Sequence, residues 1–418
     1  MLEDYFAAPW CLRTYRRGPL TSEADALATF LRDRGYRRDV ARGVLQVLRR
    51  FNRYLEAAGI ERPSDIGSDV VERFLKQWPT QGTACAVPRK VRLMLEHLRR
   101  SGILVWVPPK KCAKEDAFRP LLERYAAYLQ GVRGLLGPTR KEYARSARRF
   151  LHWLQQHGRA RALQRLRGSD VVEFITDLAP TCTIRGSRNR LTSGTRVFLR
   201  FLRFDGILSV DLARLVPKLP QWRLSSVPRH LPWEHVRALI DSIDTRTPRG
   251  LRDRAVVLLL AGLGMRGEEV RLLELRHISW RAAEIFLPKT KNCRERVLPL
   301  PHEVGEALAK YILRGRPQTT APQVILRHAA PIAPLASPSA VGRIVVRRLR
   351  WANIPSPARP GSHMLRHSLA TRLVNRGVPI KQIADLFGHG SINTTAIYTK
   401  VDLTRLATVA LPFPEDTR

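Results

Sequence analysis

The C-terminal part of the chain reads His363-Met-Leu-Arg366-His367, then Gly388-His389-Gly390, then Thr394-Thr-Ala-Ile-Tyr398-Thr399. Upstream, an arginine lies in the stretch Gly262-Leu-Gly-Met-Arg266-Gly-Glu-Glu269. Guanidinium groups pair bidentately with phosphate oxygens, imidazoles exchange protons near neutral pH, and a phenol can act as a covalent nucleophile. Together these side chains supply what cleavage of a phosphodiester without a metal ion requires.

The segment that carries these motifs, from about residue 227 onward, is predicted to mix helices with a short hairpin. Apolar spacing predicts a buried helix over residues 252–263 and strands over 284–287 and 296–300. The strands flank a basic loop that contains Lys289, Lys291 and Arg294. Further helices are predicted to begin at His302, Ser337, His363 and Ile380. The fold class that we expect is mainly α with a small β-sheet in this last segment (α+β).

The charge of the chain points to a polyanionic partner. Lys+Arg number 73 and Asp+Glu number 36, which gives a net charge of +37 and a sequence pI of about 11.3. An anionic membrane is the competing partner, but the basic residues are spread over the whole length and arginine predominates. Arginine matches phosphate geometry better than lysine does, so we expect nucleic acid and no membrane.

The chain shows no signal for export or membrane insertion. Its longest strongly apolar run, residues 255–264, is about half of what a membrane crossing needs. The start, Met1-Leu-Glu-Asp4, lacks the basic region of a signal peptide. Five scattered cysteines form no C-x-x-C pair, so neither a disulfide framework nor a zinc ribbon is indicated. We expect a cytoplasmic protein.

Two proline-rich breaks, near residues 107–116 and 216–232, divide the chain into three segments. The first two resemble each other: residues 49–55 recur at 148–154, 67–72 at 168–173 and 98–104 at 202–208, at offsets of 99, 101 and 104 residues. Chance similarity of arginine-rich helices is the alternative, and three matches in the same order argue against it. The pattern predicts duplication of a helical domain of about a hundred residues.

Each copy carries a basic stripe on one predicted helix. In the second copy a capping box from Thr139 to Glu142 predicts where that helix starts. A solvated charged face is the ordinary interpretation of such a stripe. Because the stripes are of one sign, contact with phosphate is favoured. The stripe residues are Lys141, Arg145, Arg148 and Arg149 in the second copy and Arg42, Arg49, Arg50 and Arg53 in the first.

The last segment resembles the catalytic domain of the tyrosine recombinase (phage integrase) family, with the motifs in the family's order. Residues 115–216 resemble the family's helical core-binding (SAM-like) domain, and residues 1–107 are an extra core-binding-like domain. Residues 217–231 form a linker, and residues 232–418 the catalytic domain. The resemblance also implies a C-terminal docking helix around residues 402–411; whether it docks on its own domain or on a neighbouring protomer stays open.

The resemblance implies a role for each motif residue. Arg266 and Arg366 would clamp the scissile phosphate, with Glu269 supporting the first of them. Lys291 would protonate the departing 5′ oxygen, His363 would serve in acid–base transfer, and His389 would donate to a phosphate oxygen. Tyr398 would attack phosphorus and form a 3′-phosphotyrosine. The catalytic residues are thus Arg266, Lys291, His363, Arg366, His389 and Tyr398.

Elementary chemistry agrees with these roles. Without a metal ion, charge on the non-bridging oxygens must be met by prearranged Arg and His donors. A tyrosine of pKa near 10 needs a base or a positive field to attack at neutral pH. A phosphotyrosine conserves the bond energy, so rejoining needs no ATP. We therefore expect no metal and no cofactor.

Alternative interpretations exist for single residues. His363 and His367 are one helical turn apart and could form a zinc pair, but Met364 replaces the zincin glutamate and no third ligand is evident. His367 is otherwise expected to be a structural partner. Lys291 is the least secure assignment, because a shifted register could promote Lys289 or Arg294.

Two kinds of function are compatible with these patterns. The leading hypothesis is a site-specific DNA recombinase of a mobile element, acting on double-stranded DNA as a tetrameric synapse, with partner recombinases as possible accessories. The other is a DNA-binding accessory protein of a mobile element that does not cut. The intact motif set argues against the second hypothesis. A topoisomerase IB or telomere resolvase would share the chemistry but fits the spacing of the last motifs less well.

Overall fold

A computed structural model describes most of the chain. The described residues are 2–77, 89–104, 117–135, 137–159, 163–182, 185–217, 230–288, 295–357, 360–389, 395, 397 and 398. They form two compact units, of which the first combines Met1–Val107 with Ser226–Arg418 and the second is Pro108–Ser225. The first and last of the three predicted segments thus share one unit, and the middle segment forms the other.

The N-terminal part of the first unit is helical. Its helices are α1 (Pro9–Tyr15), α2 (Thr21–Asp33), α3 (Arg38–Ala57), α4 (Ser68–Lys76) and α5 (Arg89–Arg100). The long helix α3 buries one apolar side, including Val44, Leu48, Phe51 and Leu55 at helical spacing. These side chains share a core with the other helices, in which the rings of Phe51 and Phe74 lie 4.7 Å apart.

In its described residues the second unit has four helices, which follow the order of α2 to α5. Its helices are α6 (Arg119–Gly131), α7 (Gly137–Gln156), α8 (Gly168–Leu178) and α9 (Arg185–Phe204). Helices α2 and α6 both have 13 residues, and α3 and α7 both have 20. A three-residue 3-10 turn precedes both α4 and α8, at Pro63–Asp65 and Leu163–Arg165. These equal lengths and turns support the predicted duplication.

The start of α7 differs from the prediction. The helix begins at Gly137, two residues before Thr139. Pro138 lies in the first turn, where its missing N–H removes no intrahelical hydrogen bond. Glu142 accepts a hydrogen bond from Arg145 at 2.6 Å. The predicted capping box is therefore wrong, because proline is tolerated in a first turn and the helix continues through it.

The C-terminal part of the first unit holds seven helices in its described residues. They are α10 (Trp233–Asp241), α11 (Pro248–Ala261), α12 (Gly267–Leu272), α13 (His302–Lys310), α14 (Pro338–Trp351), α15 (Ser362–Asn375) and α16 (Ile380–Phe387). Helix α11 is central, since every residue from Gly250 to Ala261 except Arg254 is buried. The predicted buried helix and the four predicted helix starts are confirmed to within a few residues. In the described ranges, no helix has the length and apolarity to cross a membrane.

A three-stranded antiparallel sheet accompanies these helices. Its strands, in the order in which they pair, are β1 (Ile278–Ser279), β2 (Glu284–Leu287) and β3 (Arg296–Pro299). The register places Ile285 opposite Leu298 and Leu287 opposite Arg296. This confirms the predicted hairpin and the expected fold class. The loop between β2 and β3, with Lys289, Lys291 and Arg294, lies outside the described residues.

Within the first unit, a loop of the C-terminal part contacts the N-terminal helices. The amide of Ile332 donates to the carbonyl of Arg34 at 3.0 Å, and Arg89 donates to the carbonyl of Ala330 at 3.4 Å. Gly35 adopts φ +69°, and a Cβ there would meet a side-chain carbon of Ile332 at 2.6 Å. Glycine is required at this position by both the left-handed backbone and the close approach.

Candidate active site

Three helices of the first unit meet where the predicted site residues lie. Arg266 immediately precedes α12, Glu269 lies in its first turn, and Arg366 is in the middle of α15. The C-terminal end of α16 supplies the carbonyls of Phe387 and Gly388. Residues more than a hundred positions apart in the sequence are thereby brought into hydrogen-bond contact.

Glu269 fixes the first arginine. Its carboxylate accepts from the backbone amide of Arg266 at 2.7 Å and from the guanidinium Nη1 of the same residue at 2.9 Å. The guanidinium Nη2 donates to the carbonyl of Gly388 at 3.0 Å. The carboxylate is 4% exposed, whereas the Arg266 side chain keeps a quarter of its surface accessible. The charge-assisted bonds therefore hold one edge of the guanidinium and leave part of it accessible.

Arg366 is held more tightly. It is 3% exposed, lies over the ring of Phe387 at 4.2 Å, and donates to the carbonyls of Gly264 and Phe387, the latter at 2.7 Å. Burial, reinforced by the positive charge of Arg266, lowers the pKa of this guanidinium to about 9. The group remains charged at neutral pH, and its rigid anchoring prearranges it for an anion.

A third arginine, Arg296 on β3, belongs to the same cluster. Its Nη1 donates to the carbonyl of Phe387 at 2.7 Å and its Nη2 to Glu269 at 2.8 Å. The sequence prediction missed this role. A signal was available, since Arg296 and Leu298 lie on the same face of β3 and Leu298 is buried. An arginine on the inward face of a short strand indicates a buried partner.

The end of α16 organises this cluster. Gly388 terminates the helix in the left-handed conformation at φ +59°. A Cβ at this position would collide with the guanidinium of Arg296, so a glycine is required for packing as well as for conformation. The carboxylate of Glu269 balances only part of the positive charge of Arg266, Arg296 and Arg366. The excess of positive charge suits the site to an anion with several oxygens.

His389 follows Gly388 and contacts Arg366. Its Nε2 lies 3.0 Å from Nη2 of Arg366, and its Nδ1 lies 2.7 Å from Oγ1 of Thr395. Because a guanidinium can only donate, Nε2 accepts and Nδ1 carries the proton. Burial, with Arg366 and Arg266 nearby, lowers the pKa of His389 to about 4. The imidazole is neutral here, so donation from Nε2 to a phosphate would require another proton on the ring.

His363 lies in the first turn of α15, where part of its surface is exposed to solvent and the rest is surrounded by protein. Its pKa is lowered by desolvation from the surrounding protein and by the charges of Arg366 and Arg266. The ring centroids of His363 and His367 are 6.4 Å apart. A neutral, accessible imidazole beside two arginines is well placed to exchange a proton with a bound ligand.

Tyr398 is buried and paired with a histidine that the sequence prediction had treated as structural. The side chain is 2% exposed and packs with Leu369, Val374 and Phe387. Its hydroxyl lies 2.6 Å from Nδ1 of His367. Burial raises the pKa of the phenol to about 12, partly offset by the charge of Arg366.

Two expected features fall outside the described residues. Lys291, together with Lys289 and Arg294, lies between β2 and β3, and the predicted docking helix lies beyond Tyr398. Their roles stay predictions.

The basic stripes are mostly solvent-exposed. Lys141, Arg145, Arg148 and Arg149 are exposed on α7, and Arg42, Arg50 and Arg53 are exposed on α3. The expectation that the stripes are of one sign is corrected at one position, because Glu142 pairs with Arg145 at 2.6 Å. Arg49 is half-buried, with its guanidinium 5.7 Å from the ring of Tyr15.

A second basic site, missed in the sequence, lies beside α14. A cavity of about 390 Å³ is lined by six basic residues, namely Arg249, Arg252, Arg327, His328, Arg343 and Arg347. The buried carboxylate of Asp253 accepts from Arg252, Arg347 and Arg348 at 2.6 to 3.0 Å. The other guanidiniums leave the cavity with an excess of positive charge. No local sequence motif indicates this cavity.

A cluster that resembles a metal site is already satisfied by protein partners. The ligand atoms of His157, Glu173 and Asp177 lie within 4.8 Å of one another. Glu173 pairs with Arg159 at 2.6 Å, and Asp177 accepts from the indole of Trp153 at 3.0 Å. These contacts account for the cluster as a set of surface ion pairs and hydrogen bonds.

Replacing Glu269 by Gln is expected to loosen the arginine cluster. The change removes the charge that compensates Arg266 and Arg296, and breaking such a buried pair destabilises by about 3 kcal/mol. We expect a lower melting temperature and, through misplacement of Arg266, DNA cleavage reduced by up to about 100-fold. The matched control is Glu268→Gln on the same helix, where the carboxylate is partly exposed and pairs with Arg271. Equal melting temperatures of the two variants would contradict the prediction.

Two models of known protein families match the sequence of this chain. A model of the phage integrase family matches residues 229–405, and a model of the N-terminal SAM-like domain of phage integrases matches residues 122–206. The first match includes every predicted catalytic residue. The second covers most of α6 to α9.

Relatives match over most of the chain. The predicted integrase/recombinase y4rF of Sinorhizobium fredii (strain NBRC 101917 / NGR234) is 40% identical over 415 residues, which cover 99% of this chain and 96% of the relative. The tyrosine recombinase XerD of Listeria monocytogenes serotype 4b (strain F2365) is 30% identical over 70% of this chain and 98% of its own length.

Solved structures show the same fold. The XerH recombinase in a post-cleavage complex with difH DNA aligns with a TM-score of 0.55 at 18% identity, covering 69% of this chain and 83% of that one. A dimer of lambda integrase (residues 75–356) bound to a COC′ core site gives a TM-score of 0.53 at 16% identity, covering 67% and 94%. The chain belongs to the phage integrase family of tyrosine recombinases.

Proposed function

We propose that this protein is a site-specific DNA recombinase that cleaves and rejoins DNA through a 3′-phosphotyrosine, without metal ion or ATP, on behalf of a mobile genetic element. The observation that carries the proposal is the meeting of Arg266, Arg296 and Arg366 with the histidine-bound phenol of Tyr398. The arginines offer donors for a phosphate, and the phenol offers a nucleophile. An accessory DNA-binding protein would need neither arrangement.

The proposed reaction assigns each group a task. Arg266 and Arg366 contact the non-bridging oxygens of the scissile phosphate, and His389 donates to one of them once its ring gains a proton. Tyr398 attacks phosphorus, and Lys291 protonates the departing 5′ oxygen. His363 exchanges protons at the accessible side of the site. Because the phosphotyrosine is a diester like the original bond, the reverse attack by a 5′ hydroxyl rejoins a strand without an energy source.

Double-stranded DNA at specific recombination sites is the proposed partner. XerH and lambda integrase have been solved with their DNA sites, and the present chain shares their fold. The exposed arginines and lysine of α3 and α7 and the basic cavity beside α14 offer contacts for phosphates. We further propose that four protomers form the synapse, with other recombinases as possible partners. The protein would act in the cytoplasm, on nucleoid DNA.

Covalent trapping tests the proposal. The full chain is incubated with DNA from the ends of the element that carries the gene, as nicked suicide substrates in the presence of a chelator, then denatured. A protein–DNA adduct attached at the 3′ phosphate, with Tyr398 identified in the linked peptide, is the expected result. Tight and specific DNA binding without an adduct on any nicked substrate would favour the accessory protein and reject the proposal.

The basic stripe of α7 is expected to contribute to DNA affinity through counterion release. For Lys141→Gln with Arg149→Gln, the slope of log affinity against log salt should fall by about two units, because each lost phosphate contact removes roughly 0.9. Arg119→Gln is the control, since this exposed arginine of α6 already pairs with Glu123 at 3.0 Å. An unchanged slope in the double variant would exclude α7 from the DNA interface.

A further inference from the structure

We propose that His367 is the catalytic base that accepts the phenolic proton of Tyr398 when the phenol attacks phosphorus. The inference rests on the proposed function and adds to it a residue that neither the motif roles nor the family comparison assigns. Its basis is the direct contact of the imidazole with the reacting oxygen.

The geometry of the pair fits proton transfer. Nδ1 of His367 lies 2.6 Å from the hydroxyl oxygen of Tyr398, and the ring centroids are 5.5 Å apart. A phenol is a better hydrogen-bond donor than a neutral imidazole, so the hydroxyl donates and Nδ1 accepts. Among the described residues, His367 is the side chain recorded as hydrogen-bonded to this hydroxyl. A base must be within hydrogen-bond reach of the proton that it takes, and His367 meets this condition before DNA is bound.

The surroundings keep the imidazole neutral and therefore able to accept. Burial and the neighbouring groups of its own helix, His363 and Arg366, lower the pKa of His367 to about 4, and His230 from the segment before α10 acts in the same direction. His389 also faces it. A group with a lowered pKa is in its basic form above that value. His367 is thus a proton acceptor across the whole physiological range.

Binding of a phosphate would increase the basicity of His367. In the free protein, the phenol with a pKa of about 12 retains its proton against an imidazole with a pKa of about 4. The positive charges that lower the pKa of His367 include Arg366, which is part of the arginine cluster. A bound phosphate offsets these positive charges. The pKa of His367 therefore rises, and the electrostatic field on the phenol changes, only when substrate is present. The nucleophile would be stored protonated and activated by the substrate itself.

The proposed step is balanced in atoms and charge. The bond from the Tyr398 oxygen to phosphorus forms, and the phenolic proton moves to Nδ1 of His367. The bond from phosphorus to the 5′ oxygen breaks, and that oxygen takes a proton from Lys291. The enzyme gains one positive charge on the imidazole and loses one on the amine. The reverse proton movements accompany rejoining.

The variant His367→Asn tests the proposal. The amide oxygen of asparagine occupies nearly the place of Nδ1 and accepts a hydrogen bond, but it cannot take up a proton. Initial rates of adduct formation are compared between pH 6 and 9 on nicked substrates with either an oxygen or a sulfur at the 5′ bridging position. A 5′ thiolate leaves without protonation, so the sulfur substrate relieves only the loss of the acid. His302→Asn, an exposed histidine of α13, is the control.

The expected result has two parts. At pH 7 the variant should form the adduct about 10²- to 10⁴-fold more slowly on both substrates, the range typical of a lost general base. Its rate should rise about tenfold per pH unit, because hydroxide must then remove a proton from a phenol of high pKa. The wild type should lack this steep rise. A structural role would change the rate without adding the steep pH dependence.

Other outcomes would overturn the proposal. Rates within about threefold of the wild type, a pH profile parallel to that of the wild type, or full rescue by the sulfur substrate would each remove His367 as the base. Absence of any adduct with the wild type would instead reject the proposed function, and this inference with it.

A measurement on the folded full chain guards against a variant that fails to fold. Nitrogen-15 spectra of histidine-labelled wild type and Tyr398→Phe should differ in the Nδ1 signal of a single neutral histidine. Identical spectra would show that the phenol does not donate to His367, and the inference would fail on geometry.

Discussion

The variant Tyr398→Phe is expected to form no covalent adduct with DNA, with the rate reduced on the order of 10⁴-fold or more. The change deletes the nucleophilic oxygen and leaves the ring in its apolar surroundings beside Phe387 and Val374. Because the hydroxyl is hydrogen-bonded to His367 and the change leaves the arginine cluster intact, DNA affinity should stay within a factor of a few. The measurement is adduct formation on a nicked substrate, with binding followed in parallel.

A matched control separates loss of the nucleophile from loss of packing. Tyr54→Phe removes a hydroxyl from a half-buried tyrosine of α3 that stacks near Phe51 and Phe74. This variant should cleave as the wild type does. Residual adduct formation by Tyr398→Phe above about one part in a thousand would point to another nucleophile. Loss of DNA binding in parallel with cleavage would mean that the phenol supports the fold and would leave its chemical role undecided between the two causes.

The order of motifs in the sequence predicted a group of residues that the structure places near one another. Arg266, Arg366, His389 and Tyr398 were identified from side-chain chemistry and from resemblance to a family, and the structure brings them together with Glu269. Their proximity could be predicted because these residues lie in short motifs whose spacing is set by helices, while their catalytic roles stay predictions. The chemistry of each side chain limits what it can contribute.

Two members of the site were not predicted, for a physical reason. Arg296 and His367 make their decisive contacts with residues 91 and 31 positions away, at the end of α16 and at Tyr398. Local periodicity describes which face of an element is buried and does not identify the residue that it meets. His367 is expected from the sequence to be a structural partner, and its contact with Tyr398 was not predicted.

Parts of the architecture could also be predicted from the sequence. Apolar spacing located α11, α13 and the β2–β3 hairpin, because burial of one face imposes a period on the sequence. The start of α7 was misplaced, since a proline at the beginning of a helix can be read either as a break or as a first turn. The N-terminal helices contact the C-terminal part where Ile332 approaches Gly35. No periodic pattern in the sequence indicates this contact.

Arg366→Lys is expected to reduce adduct formation about 10³-fold despite conservation of charge. The guanidinium donates at once to Gly264, Phe387 and His389, and its central carbon lies 4.2 Å from the centre of the Phe387 ring. A lysine ammonium is a point charge with no planar fork, so it cannot reproduce these bonds while also facing a phosphate. Losing a prearranged donor to a developing oxyanion typically reduces the rate 10²- to 10³-fold, and the disturbed His389 adds to this.

The effect of Arg366→Lys on DNA binding distinguishes loss of the guanidinium geometry from general damage to the fold. Since the positive charge persists, DNA affinity and its salt dependence should change little. Arg366→Ala should instead reduce both affinity and thermal stability, because the buried carbonyl of Gly264 loses its donor and the carbonyl of Phe387 keeps only Arg296. Arg376→Lys at the exposed end of the same helix is the control and should behave as the wild type. Cleavage by Arg366→Lys within tenfold of the wild type would show that charge alone suffices, and the argument from bidentate geometry at this site would be wrong.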